Sequence, residues 1–267
     1  MKTGSEHGAR PPEESGQERS CCRCKHATRC LWLPVLLFVA VCGFALLQVV
    51  AARGPGDEPP APVEGRPRVV RLKGIRYDLE AGRVIMEGRI ALGAGVVELF
   101  ACVRGTKDYE SVVAVDCQPY DLHLGLLALG LKAGRPVGRQ EGGELPVGPP
   151  VVVWVEWKDT RGRTVRHRAE ELILNLKTKK PMEPAGWAFV GSRFIQADPQ
   201  GKEVYAAALT GAVITTYHDP TTVLDNPRPT GGDDTLFVVN TSVVPPVGTP
   251  VLVIVEPEKK SDVPAKT

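Results

Sequence analysis

The chain has 267 residues and a formal net charge of +2, with 33 Lys and Arg balanced by 31 Asp and Glu. That balance excludes the basic surface expected of a nucleic-acid binder. The length suits one or two domains.

Residues 1–30 hold almost no large apolar side chain, a composition that cannot bury enough surface to offset the entropy of ordering, and they are expected to be a disordered tail. Within "SCCRCKHATRC", Cys21 and Cys24 have the spacing of a metal knuckle, and His26 and Cys30 could complete a tetrahedral zinc site. Free thiols in a reducing compartment, or acylated or redox-active ones, fit the same residues. From Leu31 to Ala52 no residue is charged, and about 20 apolar residues span a bilayer core. Arg23, Lys25 and Arg29 precede this run, while Asp57 and Glu58 follow it. The positive-inside rule then puts the N-terminus in the cytoplasm and residues 53–267 outside the cytoplasmic membrane. Cleavage after Ala52 is the competing reading; the long polar region ahead of the run and the length of the run favour an uncleaved anchor. Residues 53–68, "RGPGDEPPAPVEGRPR", read as a Pro-rich linker, 69–257 as one folded domain, and 258–267 as a polar tail.

Three segments of that domain place Asp, a short spacer, Gly and then a base: Asp78 and Gly82, Asp159 and Gly162, Asp198 and Gly201. Asp can bond a nearby backbone N–H and Gly can take the positive φ of a short hairpin loop, so the pattern predicts three β-hairpins with the base facing solvent. A metal-loop reading of the same pattern is weaker than turn chemistry. Further strands are expected at 69–72, 96–103, 112–115, 213–217, 235–240 and 250–255. "PYDLHLGLLALGLKAG" has Leu122, Leu126 and Leu129 at helical spacing, opened by Pro119 and closed by Gly134. "AEELILNLKTKK", acidic early and basic late, predicts a second, shorter helix. The expected class is α+β: a mostly antiparallel sheet with hairpins and about two helices, preceded by one transmembrane helix.

No nucleophile elbow, zinc-protease motif or phosphate loop is present, and no cofactor is expected. The densest polar stretch is a connection between strands holding Lys107, Asp108, Tyr109, Glu110 and Ser111, followed by a helix carrying His123. Lys107, Glu110, Ser111 and His123 are candidate ligand-binding residues, with Arg193 of "GSRF" as an anion clamp. A strand end at Glu110 and Ser111 and a half-buried helix residue at His123 are the plainer reading, since no second catalytic group is placed by spacing. Cys102 and Cys117, on the exported side, could pair as a disulfide or remain buried free thiols. Asp233 and Asp234 behind two glycines suit a solvated loop or a weak cation site, and Asn240-Thr241-Ser242 matches a glycosylation sequon.

The stretch "ELFACVRGTKDYESVVAVDCQPYDLHLGLLALGLKAGRPV" resembles the core signature of the YdjY-type domain of bacterial extracytoplasmic proteins, as do "WAFVGSRF", "GKEVYAAALTG", "TTVLDNP" and "VPPVGTPVLVIVEP". The likeness runs through nearly all of 69–257. Where that family usually has His, this chain has Tyr109, while Glu110 and Ser111 match. The resemblance implies one exported, often membrane-tethered domain of unknown biochemical role; some relatives carry iron–sulfur segments, whose cysteine spacing is absent here.

The expectation is therefore a non-catalytic binding or scaffold module, tethered to the membrane through residues 31–52. Its partner would be an envelope protein or a cell-surface ligand, and no nucleic acid. The alternative is an extracytoplasmic hydrolase or metal-assisted enzyme, which requires Glu110, Ser111 and His123 to converge in one pocket.

Overall fold

The computed structural model describes residues 68–140, 142–196 and 201–259. The expected tail 1–30, the expected span 31–52, the linker up to residue 67 and the Cys21, Cys24, His26, Cys30 group lie outside the described residues. Contacts group the chain into Met1–Glu64 and Gly65–Thr267, and everything described belongs to the second unit. Among the described residues no helix is long and apolar enough to cross a membrane.

The chain first forms a three-stranded meander, β1 (Val69–Leu72), β2 (Ile75–Asp78) and β3 (Arg83–Ile90). Next come β4 (Leu99–Val103), β5 (Ser111–Val115) and helix α1 (Pro119–Ala128), then the hairpin of β6 (Pro150–Lys158) and β7 (Thr164–Arg168). Short strands follow: β8 (Ile173–Asn175), β9 (Lys180–Pro181), β10 (Trp187–Phe189), β11 (Phe194–Gln196) and β12 (Glu203–Tyr205). Helix α2 (Ala206–Thr210), β13 (Ala212–Thr215), β14 (Leu224–Asp225), β15 (Phe237–Val239) and β16 (Pro250–Pro257) complete the order.

The main sheet, antiparallel in most of its pairings as expected, closes on itself. Strands β3, β16, β6, β10, β14, β13, β4 and β5 follow one another in hydrogen-bonded order, and β5 returns to β3, which makes an eight-stranded mixed barrel. Two of its pairings, β13–β14 and β4–β5, are parallel. Closure depends on β3 changing partners along its length: Arg83–Met86 pair with β2, whereas Gly88–Ile90 pair with β5. Gly88 permits the change, because a Cβ there would stand 2.7 Å from the Ala114 carbonyl oxygen. β6 divides in the same way between β10 and β7.

Alternation along the central strands fills the barrel with side chains. Val84 and Met86 of β3, Val251, Val253 and Val255 of β16, and Val151, Val153 and Val155 of β6 all belong to the main buried cluster with Phe100, Trp187 and Phe189. This is the period-2 pattern of strands with one face on a core. α1 packs Leu122 and Leu126 onto the same core, and Tyr77 donates its hydroxyl to the Asp121 carbonyl at 2.7 Å.

The strands of the three expected hairpins pair as β2–β3, β6–β7 and β11–β12, with Asp198 of the third outside the described residues. Asp78 Oδ1 accepts from Ala81 N, and Asp159 Oδ1 accepts from Arg161 N and Arg163 N. Gly82 and Gly162 have φ of 67° and 75°. The bases do more than face solvent, since Arg83 and Arg163 reach back to the same carboxylates at 3.3 and 2.8 Å. These bonds, led in both cases by the backbone N–H groups, hold Asp78 and Asp159 below the usual carboxylate range.

The second expected helix does not form. Ala169–Leu172 is one 3₁₀ turn, and the chain then extends as β8 between β15 and β9. Asn175 Oδ1 then accepts from Lys177 N and Thr178 N, an Asx turn that competes with helix.

Candidate functional site

The stretch singled out by its polarity is a crossover. Parallel strands ordinarily need a dozen or more connecting residues, yet only Arg104–Glu110 join β4 to β5. Its ends are pinned where Arg104 N donates to the Val115 carbonyl at 3.0 Å and Glu98 N to the Glu110 carbonyl at 3.1 Å. Asp108 Oδ1 accepts from Gly105 N at 2.9 Å and from the Cys102 thiol at 3.5 Å, which lays the crossover over β4. Lys107 and Glu110 form an ion pair at 3.4 Å, Ser111 is fully buried, and Tyr109 is exposed. Desolvation first, and the Glu110 carboxylate second, raise the pKa of the neighbouring Glu98.

His123 and Arg193 belong to a different constellation. His123 Nδ1 lies 2.9 Å from the Tyr205 hydroxyl, which also donates to the Gly191 carbonyl at 3.1 Å, and the imidazole meets Phe189 edge-on. Burial holds His123 below its ordinary pKa, against the Gly191 backbone bond. Ser192, with φ of 58°, donates to the Thr221 carbonyl and accepts from Ala207 N. The Arg193 guanidinium is committed to the Pro220 and Val137 carbonyls at 2.7 and 2.5 Å. Thus the structure joins Lys107 to Glu110 and sets His123 on Tyr205; no hydrogen bond, ion pair or ring contact links His123 to Glu110 or Ser111 among the described residues.

Cys102 and Cys117 are free and buried, so the disulfide alternative is not formed. Cys102 is level with Ala114 in the β4–β5 register and packs with it in a small outer cluster, whereas Cys117 lies in the main core with Val113 and Val115. The two thiols therefore sit on opposite faces of the wall. Burial raises the pKa of Cys102 and pushes that of Cys117 up to about 12. The sequon is also accounted for by turn chemistry. Asn240 is buried, donates Nδ2 to the Glu171 carbonyl at 2.8 Å, and accepts at Oδ1 from Ser242. Asp233 is a loop residue bonded to Lys177 and Thr235, which lower its pKa to about 2.

A concavity of about 650 Å³ lies on the outer face of the barrel, across β3, β16 and β6. Sequence spacing does not reveal it. Leu252 forms its floor, level with Glu87 on one side and Glu156 on the other. The rim carries Glu87, Arg89, Arg104, Asp116, Glu156 and Lys158. Most of these charges are engaged: Arg104 with Asp116, Glu156 with Arg166 at 3.5 Å, and Lys158 with the Thr164 hydroxyl at 2.6 Å. Glu87 and Arg89 are exposed and make no ion pair or side-chain hydrogen bond among the described residues. Strand alternation puts both on one face, two residues apart.

A second polar group is sealed in the fold. Asp225 Oδ1 accepts from Asn226 N, the Thr215 hydroxyl and His218 Nδ1 at 2.8, 3.1 and 3.3 Å. All four residues are buried. It ties β13 and β14 to the loop between them.

The family model of the YdjY domain matches residues 75–256, a range that runs from β2 into β16 and takes in the barrel. The chain belongs to the YdjY-domain family. No curated protein and no solved structure matches it significantly. Within the YdjY domain, the GTKDYES segment is thus the β4–β5 crossover, and the charged rim of the outer groove is drawn from four separate parts of the chain.

Proposed function

We propose that this YdjY-domain chain is a non-catalytic binding module of the cell envelope, tethered through residues 31–52 with residues 53–267 outside the cytoplasmic membrane. Its outer groove binds an extended segment of an envelope protein that presents charges of both signs. The observation that carries this reading is the pair Glu87 and Arg89, opposite charges left without partners on the rim of an open concavity with an apolar floor. An extended peptide repeats its side chains at the spacing of the strands below, so it can oppose such a pair in register. The anchor, the Pro-rich linker and the filled barrel interior support the same reading.

The test is photocrosslinking in native membranes, with a photoreactive residue at exposed position 158 on the rim and, as a control, at exposed position 109 on the crossover. A binding groove yields one mapped partner peptide from position 158 and not from position 109. The same products from both positions, or none from 158, would remove the groove from the function.

A further inference from the structure

Helix α1 is apolar on two faces. Its inner face, Leu122, Gly125 and Leu126, packs on the core. Its outer face carries Tyr120, Leu124 and Leu127 at i, i+4 and i+7, which makes one stripe. Leu124 is 53% and Leu127 42% exposed. A helix on a soluble surface ordinarily turns charged or polar residues to that side. Phe194, 66% exposed, flanks this stripe through ring contacts from Phe194 to Tyr205 and from Tyr205 to His123 of α1.

We infer that this face of α1, with Phe194 beside it, rests on the lipid surface of the membrane to which the chain is tethered. The inference depends on the anchor reading of residues 31–52 given above. The length of chain outside the domain fits it. Fifteen residues separate Ala52 from Arg68, and a chain of that length reaches at most about 50 Å. A domain of this size has a radius of gyration of about 16 Å, so the tether lets any face of it reach the bilayer. Tethering also makes docking intramolecular, with an effective concentration in the millimolar range for a short linker, so a shallow apolar stripe suffices. Tyr120 and Phe194 give the stripe the aromatic rings that favour the headgroup boundary.

The experiment uses the full chain in liposomes of phosphatidylcholine and phosphatidylglycerol that carry a phospholipid with a diazirine high on its acyl chain. After illumination, adducts are mapped by mass spectrometry. Docking yields adducts on peptides covering 119–131 as well as on those covering 31–52. The Leu124→Glu/Leu127→Glu variant, changed only at exposed positions, loses the 119–131 adducts at least about tenfold and keeps those at 31–52, a loss of about 1.4 kcal/mol in binding. Adducts at 31–52 alone overturn the docking inference and leave the anchor standing; a stripe reserved for a protein partner gives this result. Adducts at 119–131 alone overturn the anchor and keep the docking, and adducts at neither overturn both.

Discussion

A Cβ added to Gly125 of α1 would stand 2.7 Å from Cε1 of Tyr77 and 2.8 Å from Val84 Cγ2. The helix meets the β2–β3 hairpin through this bare backbone, and the Tyr77 hydroxyl is fixed by Asp121 one turn away. Gly125→Ala therefore overpacks the contact instead of gaining helix propensity, at a cost of about 1–3 kcal/mol. For a domain of this size that lowers Tm by about 2–12 °C. A calorimetric Tm at or above that of the native chain would contradict the contact.

Asp225 predicts a dependence on pH. Desolvation raises its pKa, against the bonds from His218, Thr215 and Asn226. Its folded value therefore lies above the unfolded one, near 4. The stability it contributes is fully present below that unfolded value and is lost as pH rises through the folded pKa. Asp225→Asn removes the ionisation and keeps an acceptor for Asn226 N. The difference in Tm, variant minus native, is expected to move in favour of the variant as pH rises from about 4 to 7. A difference independent of pH would show that Asp225 does not titrate with folding.

The two buried cysteines respond to alkylation in a defined way. As free thiols with raised pKa values, Cys102 and Cys117 resist iodoacetamide in the native chain, because the thiolate is the nucleophile. Both become modified in denaturant without any reductant. Resistance that persists in denaturant until a reductant is added would reveal a disulfide.

Loss of the crossover lock has a local signature. Asp108→Ala leaves Gly105 N and the Cys102 thiol without their acceptor, a loss of about 0.5–1.5 kcal/mol, the net worth of an ordinary hydrogen bond. Hydrogen exchange at residues 104–110 should quicken while the β3–β16–β6 wall stays protected. Uniform exchange across the domain would mean that the crossover is not a separate unit.

These elements differ in how much of them could be read from the amino acids. The hairpins at Asp78–Gly82 and Asp159–Gly162 were legible because a turn is specified by the few residues inside it. α1 was legible from the spacing of Leu122, Leu126 and Leu129, although it ends at Ala128. Residues 169–180 misled, because the Glu-first, Lys-last order imitates a helix while Asn175 makes a turn and Ile173–Asn175 pair with β15 and β9, which lie elsewhere in the chain. Barrel closure was not legible, since it rests on Gly88 meeting Val115 and on pairings between residues far apart in the chain, such as Ala212 with Cys102. The groove was hidden for the same reason: Glu87, Arg104, Asp116, Glu156 and Leu252 converge only when β3, β16 and β6 lie side by side. His123 and Glu110 looked like neighbours through sequence proximity alone.

The groove assignment is tested most directly by the double variant Glu87→Arg/Arg89→Glu in the full chain, carrying the photoreactive residue at position 158. The swap preserves net charge and fold, because both side chains are exposed, and reverses only the order of charge on the rim. Exchanging two favourable rim contacts for two repulsive ones shifts affinity by about tenfold. The yield of the crosslinked partner peptide should therefore fall by about that factor below saturation. A yield equal to that of the native rim would contradict binding through Glu87 and Arg89.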